Sequence, residues 1–235
     1  MPNRWPKALP TLTPEQERIR EDFHKQWLQT LPRRFGLIEQ FNQRYPLRTF
    51  TPGARTLEIG VGLGAHLQFE DLAQQEYVAL DLRAELVQPI RAAHPAVRVL
   101  VGDCQTPLDL PTGYFDRVLA IHVLEHLPDL PQALEQVRRI LKPEGVLTVV
   151  IPCEGGLAYT LARNLSARPL FERLYHQKYD WFVAAEHINL PDEIFAELRA
   201  RFRITHQMFF PLFAPVVTLN LAIGLTLTPL PTARV

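Results

Sequence analysis

The sequence predicts a doubly wound α/β fold, a mostly parallel sheet with helices on both faces. Three observations predict it. After Pro52-Gly53 the apolar pattern alternates short strand-like runs with helical stretches. The first run, Thr56-Leu57-Glu58-Ile59, feeds straight into Gly60-Val61-Gly62-Leu63-Gly64. Finally, 235 residues of which 47% are apolar suffice for one large domain with a substantial core.

The elements follow in order. Residues 1–12 are proline-rich and irregular. Thr13-Pro14-Glu15-Gln16 reads as a helix start, with Thr13 as N-cap, Pro14 in the first turn and Gln16 reaching back. Ile19, Phe23, Trp27 and Leu31 form one apolar face, and Pro32 is expected to end the helix. A second helical stretch carries Phe35, Ile38 and Phe41 towards Tyr45-Pro46. Strands are expected at 55–59, 76–82, 97–104, 115–122 and 146–152, with a short helix after the glycine turn and helices at 84–93 and 130–141. Residues 154–190 interrupt this rhythm. A helix at 191–202 and strands at 203–211 and 216–228 complete the chain. Four units result: an N-terminal helical extension (1–53) that packs on the core or closes over a pocket, a ligand-binding core (54–153), a cap insertion (154–190), and a final helix with a C-terminal β-hairpin (191–235).

Composition removes several classes of function. Lys+Arg 25 balances Asp+Glu 25, so the basic excess of a nucleic-acid binder is missing. Two cysteines, Cys104 and Cys153, make neither a disulfide scaffold nor a four-cysteine zinc site, and no His/carboxylate cluster shows metal-ligand spacing. The start MPNRWPKALP lacks the apolar run of a signal peptide, and the expectation is a cytoplasmic protein. Between Ile204 and Ala233 the one ionisable side chain is His206, long enough an uncharged stretch to span a bilayer. Its period is two, however, with Val217, Leu219, Leu221, Ile223, Leu225 and Leu227 alternating with small or polar residues, and prolines interrupt it. That pattern is a strand; a peripheral membrane contact stays open.

Chemistry gathers where strands end. The glycine run lets the backbone turn sharply and lets a ligand approach main-chain N–H groups, at the carboxyl end of the first strand where open α/β sheets bind ligands. Together with Ala65 it also satisfies the dinucleotide G-x-G-x-x-A form, so a nicotinamide-dependent oxidoreductase is one reading. Asp81 lies about twenty residues further on and can accept from ribose hydroxyls. Glu58 and Asp103 end neighbouring strands. Three acids at one rim favour a cationic, unphosphorylated nucleoside over a pyrophosphate.

At these residues the chain resembles the class I S-adenosylmethionine-dependent methyltransferases, in particular the small-molecule, type 11-like enzymes. The resemblance runs through LEIGVGLG (57–64), LDL (80–82), GDC (102–104), FDRVLAIHVLEHLPD (115–129) and LKPEGVLTVVIP (141–152), in order over roughly residues 54–152. It implies a Rossmann-like methyltransferase fold, a seven-stranded sheet with an antiparallel last strand. It also implies S-adenosyl-L-methionine as cofactor and an unidentified small-molecule acceptor with an O- or N-nucleophile. Glu58 and the Gly60, Gly62 and Gly64 backbone would meet the methionine end; Asp81, with Leu82 beside it, the ribose; Asp103 and Cys104 the adenine; and His122 the neighbourhood of the sulfonium. An Asn-Pro-Pro-Tyr-like motif is absent, which speaks against amino-group methylation of nucleobases or glutamine. A non-catalytic, cofactor-binding regulatory module of the same fold is a further alternative.

Methyl transfer needs alignment above all, and with a hydroxyl acceptor a general base. His122 and His187 are the candidates; His126, in Leu-Glu-His-Leu-Pro, reads as a turn-packing residue. The cap is rich in aromatics, of which Tyr175, Tyr179 and Trp181 are candidate substrate contacts. Arg163, Arg168, Arg173 and Lys178 do not share one helical face, and Asn189 reads as a helix cap. Oligomeric state is open.

Overall fold

The computed structural model describes residues 5–34 and 36–231, with no side chain described from 27 to 35; Trp27, Leu31 and Phe35 therefore lie outside the described residues. Seven strands form one sheet in the order β3-β2-β1-β4-β5-β7-β6. They are β1 (Arg55–Ile59), β2 (Glu76–Asp81), β3 (Arg98–Val101), β4 (Phe115–Ile121), β5 (Leu141–Pro152), β6 (Phe202–Phe210) and β7 (Ala222–Pro229). β1 to β5 pair in parallel, and β7 runs antiparallel to both β5 and β6. Helices α1 (Pro14–Arg34), α2 (Gly36–Arg44), α3 (Ala84–Ala93), α4 (Leu130–Ile140) and α8 (Pro191–Arg201) surround it, and α5 (Leu157–Leu165), α6 (Ala167–Tyr175) and α7 (Asp180–Glu186) form the cap.

The strands read as nearly continuous apolar runs because both faces are covered. On one face Leu57, Ile59, Val78, Leu80, Val118 and Ala120 join α4 and α8 in the main core. On the other, Tyr77, Ala79 and Val99 pack against Val87 and Ile90 of α3. The capping box at Thr13 forms as expected: Gln16 N donates to Thr13 Oγ1 (3.2 Å) and Thr13 N to Gln16 Oε1 (2.9 Å).

Four local expectations are corrected. The first helix runs through Pro32 to Arg34, since a proline removes a single helical hydrogen bond. No α-helix follows the glycine turn; two 3-10 turns, 67–69 and 72–74, replace it, because the Asp71 side chain accepts from Ala73 N and restarts the backbone. The last strand begins at Ala222 instead of 216. Asn220, fully buried, draws Leu212 N, Ala214 O and Val216 O onto its amide, and 217–219 become a 3-10 turn. Asn189 is not a cap: its Nδ2 donates to Leu124 O (2.7 Å) and Leu127 O (2.8 Å), and it welds the end of the cap to the turn after β4.

A buried polar cluster ties the N-terminal segment to the sheet. Arg117 on β4 is 1% exposed. It donates through Nε to Thr49 Oγ1 (2.9 Å) and through Nη2 to Pro46 O (2.6 Å), and Nη1 lies 2.8 Å from Glu70 Oε1. Burial pushes the Glu70 carboxyl up, but the His66 hydrogen bond and the Arg117 charge outweigh it and hold it at about 2. Nearby, the Tyr45 ring lies on Gly224, where any Cβ would come within 2.5 Å of it. Among the described residues no helix is long and apolar enough to cross a membrane.

Candidate active site

The glycine turn is set by packing as well as by conformation. Gly60, Gly62 and Gly64 have φ of 71°, 55° and 77°, the left-handed region that glycine enters without steric cost. A Cβ on Gly60 would lie 2.4 Å from Val123 Cγ2, so the turn sits directly on the segment after β4. Gly60 N bonds back to Leu80 O (2.7 Å). Asp81 closes the turn: Oδ2 accepts from Gly62 N and Oδ1 from Arg83 N, both at 2.9 Å. Leu82, beside it, is left 64% exposed.

The three acids do not share one environment. Asp81 touches the glycine turn. Asp103 accepts from Gln105 N (2.9 Å) and Gln105 Nε2 (3.0 Å) just after β3. Glu58 is 3% exposed on the face of Thr56 and Arg117, where its Oε2 accepts from the Tyr77 hydroxyl (2.8 Å). Burial pushes its carboxyl up against the opposing pull of His66 and Tyr77. Glu58 is thus engaged beneath the turn, not free at the rim. Cys104 and Cys153 are buried free thiols, each pushed up to about 12 chiefly by that burial.

Beyond the turn, histidines and carboxylates cluster above the ends of β4 and β5. His122 adopts φ 53° and bonds through Nδ1 to Glu125 Oε1 (3.1 Å). Burial pulls its pKa down, but the hydrogen bond and charge of Glu125 win and the pKa is raised. Glu125, 1% exposed, is held at about 2 against burial by the His122 hydrogen bond and neighbouring histidine charge, and its Oε2 has no protein partner. His126 donates through Nδ1 to Glu186 O (2.6 Å), and its ring lies 5.2 Å from that of His187. His187 Nδ1 meets Glu154 Oε2 at 2.6 Å, and Glu154 in turn pairs with Arg163. The structure therefore brings His122 and His187 into one network, and adds Glu125, Glu154 and Arg163. The sequence marks Arg163 only as one of the cap's cations and Glu125 only as part of Leu-Glu-His-Leu-Pro, and it carries no signal for Glu154.

The candidate aromatic contacts pack in the cap's own core, and Tyr179 also stands within the field of Arg163, Glu154 and Glu186. Tyr179 packs with Phe23, Phe171 and Phe182; Tyr175 donates to Asp22 Oδ2 (2.5 Å); Trp181 packs on Phe171 at 5.6 Å. The reason is physical: three short helices without a sheet must bury aromatic area among themselves, and Phe23 of α1 completes that small core. α1 thereby spans the site, with Arg20 3.5 Å from Glu186 and His24 3.3 Å from Arg83. Burial and the Arg83 charge lower His24 to about 4. Among the described residues no group of three or more His, Cys, Asp or Glu is placed to hold a metal ion.

The residues present fit an unphosphorylated, positively charged nucleoside. Gly60 leaves no room for a side chain on the Val123 side while space is open around Gly62, a carboxylate stands beside the turn, an apolar side chain lies open next to it, and a buried carboxylate oxygen lacks a partner. Fold and site together define a Rossmann-like nucleoside-binding domain with the sheet order of a methyltransferase. Residues 57–149 match the family model described as a methyltransferase domain. A malonyl-[acyl-carrier protein] O-methyltransferase of Pectobacterium atrosepticum is 31% identical over 106 residues, covering 45% of this chain and 42% of its own. A ubiquinone biosynthesis O-methyltransferase of Xanthomonas oryzae is 38% identical over 143 residues, covering 57% and 59%. The chain thus spans about half the length of the curated relatives it matches. Among solved structures, a possible histamine N-methyltransferase of Thermotoga maritima superposes with a TM-score of 0.58 at 19% identity, covering 90% of this chain and 98% of that one. The putative methyltransferase complexed with the Haloferax volcanii Trm112 activator gives 0.62 at 16%, covering 89% and 96%. At such identities these two share the fold.

Proposed function

We propose that the protein transfers a methyl group from S-adenosylmethionine to a hydroxyl of a small-molecule acceptor. The observation that carries this reading is the glycine turn stapled to Asp81 beside a buried histidine–carboxylate network. The two relatives named above are both O-methyltransferases, which supports an oxygen acceptor.

In this reading the Gly60, Gly62 and Gly64 backbone, with Glu58 engaged beneath it, shapes the methionine end of the cradle. Asp81 and Leu82 take the ribose side, and Asp103 and Cys104 the adenine side. Bound S-adenosylmethionine supplies a methyl group on a sulfonium, a leaving group whose bond pair stays on sulfur. The chain's own contribution is alignment and exclusion of water, worth about 7–11 kcal/mol in favourable intramolecular cases. α1 and the cap provide that enclosure. His122, beside Val123 and the turn, lies on the cofactor side; His187 lies on the acceptor side as the proton acceptor. Tyr175, Tyr179 and Trp181 act through the cap core that supports this wall.

An isotope-labelled methyl donor presented with panels of phenols, carboxylic acids and amines tests the proposal. Label in a phenol or another hydroxyl acceptor is the expected result. Label in amines alone would reject the oxygen assignment. Stabilisation by NAD(H) and not by S-adenosylhomocysteine would favour the oxidoreductase alternative.

A further inference from the structure

Glu154 lies two residues beyond the end of β5, is 6% exposed, and has both carboxylate oxygens engaged. Oε2 lies 2.6 Å from His187 Nδ1; Oε1 pairs with Arg163 and accepts from Gly155 N at 3.2 Å. An ionised carboxylate has no proton to donate, so in this pair Nδ1 carries the hydrogen and Nε2 is left as the ring's acceptor. Burial pushes the Glu154 carboxyl up, but the His187 hydrogen bond and the His187 and Arg163 charges prevail and keep it below the usual range. The ring itself is only partly exposed, with a side-chain exposure of 21%, and so keeps access to the site.

We infer that Glu154 is a positioning residue: anchored by Arg163, it fixes His187 with Nε2 free to take a proton from the hydroxyl of a phenol- or enol-type acceptor. This rests on the methyltransferase reading above. The acceptor O–H bond gives its proton to Nε2 as the oxygen forms its bond to the methyl carbon. The carbon–sulfur bond breaks with its electron pair left on sulfur, and the imidazolium is balanced by Glu154. A neutral amine forms its new bond without giving up a proton first, so the dyad selects for protic oxygen acceptors. The charged and titratable groups facing His187 are Glu154 from the loop after β5, Arg163 and Tyr159 from α5, Glu125 and His126 from the turn after β4, and Glu186 from α7.

The test uses the full chain saturated with S-adenosylhomocysteine, read by nitrogen-edited histidine spectra across pH and by methyl transfer to a phenol panel. Wild type is expected to show the Nδ1–H tautomer at His187. Glu154→Gln lets the Nε2–H tautomer compete at His187, because an amide can donate to Nδ1 as well as accept from it. It also lowers kcat at least tenfold with KM within threefold, and shifts the acid limb of the rate profile. Glu154→Asp restores tautomer and rate in part, and decides the matter should the glutamine variant fail to fold. All variants bind S-adenosylhomocysteine within twofold of wild type. An Nε2–H tautomer in wild type, or an unchanged tautomer and rate profile in Glu154→Gln, overturns the inference. Failure of wild type to bind S-adenosylhomocysteine overturns the methyltransferase reading itself.

Discussion

Replacing Asp81 with alanine removes an acceptor for two backbone N–H groups, Gly62 N and Arg83 N, each at 2.9 Å. Hydrogen bonds to a charged group contribute about 1.5–3 kcal/mol each. The orphaned donors do not bear the full double penalty. Nothing lies within 4 Å of where a Gly62 side chain would be, and the Arg83 side chain is 40% exposed, so water reaches both. The turn also keeps its Gly60 N–Leu80 O bond at 2.7 Å. The expected stability loss is therefore about 1.5–3 kcal/mol, the equivalent of one such bond, with the fold retained. Affinity for S-adenosylhomocysteine falls by about 10- to 100-fold, the loss of about 1.4–3 kcal/mol of ligand contact. Asp81→Asn keeps one acceptor oxygen and sets an amide donor against the other N–H, so its affinity falls between wild type and alanine. Calorimetric titration at 25 °C, with a melting curve of each variant, measures both effects. An alanine variant that binds within twofold of wild type and melts at the same temperature would show that Asp81 neither holds the turn nor meets the ligand.

Two further outcomes follow from the geometry. Gly60→Ala combines a φ of 71° with a Cβ 2.4 Å from Val123, and should lose about 2–5 kcal/mol from left-handed strain and overpacking. Gly62→Ala, with open space around it, should lose only about 1–2 kcal/mol; equal denaturation midpoints for the two would refute the packing argument. Stability should also fall on acidification in two windows. His24, lowered to about 4 from 6.5, withdraws its contribution as pH drops from 6.5 to 4. Glu70 and Glu125, held at about 2 against 4.5, withdraw theirs below 4.5. His122, with a raised pKa, acts in the opposite sense, its contribution present below 6.5 and lost as pH rises above it. A guanidinium midpoint unchanged between pH 7 and 3 would contradict these assignments.

The parallel core was legible because its signals are local. β1 and α3 have the bounds the sequence gives them, since apolar runs bounded by glycine, proline and charge leave few alternatives. What sequence could not show is decided by side chains meeting across the chain. Asn220 and Asn189 read as strand and cap residues until their amides find carbonyls elsewhere. Glu154 carries no motif; it matters because the cap returns His187 to it after a long excursion. Glu58 stood in the expected place in the glycine motif, yet the strand's pleat turns it towards Tyr77. The aromatic core of the cap is not legible in the sequence, because composition records abundance and not direction.

The Arg117 cluster bears on where this chain can be divided. The rhythm of strands and helices starts at residue 54, and a cut there looks harmless on paper. Yet Thr49 and Pro46 supply two of the three groups that satisfy a guanidinium enclosed in the sheet, and the Tyr45 ring fills the slot over Gly224. Trimming to the apparent start of the strand-and-helix module would leave that cation short of two acceptors at a cost of about 3–6 kcal/mol, about 1.5–3 kcal/mol for each hydrogen bond to a charged group, a large share of what a domain has to spare. Any minimal version of this protein has to begin upstream of Tyr45.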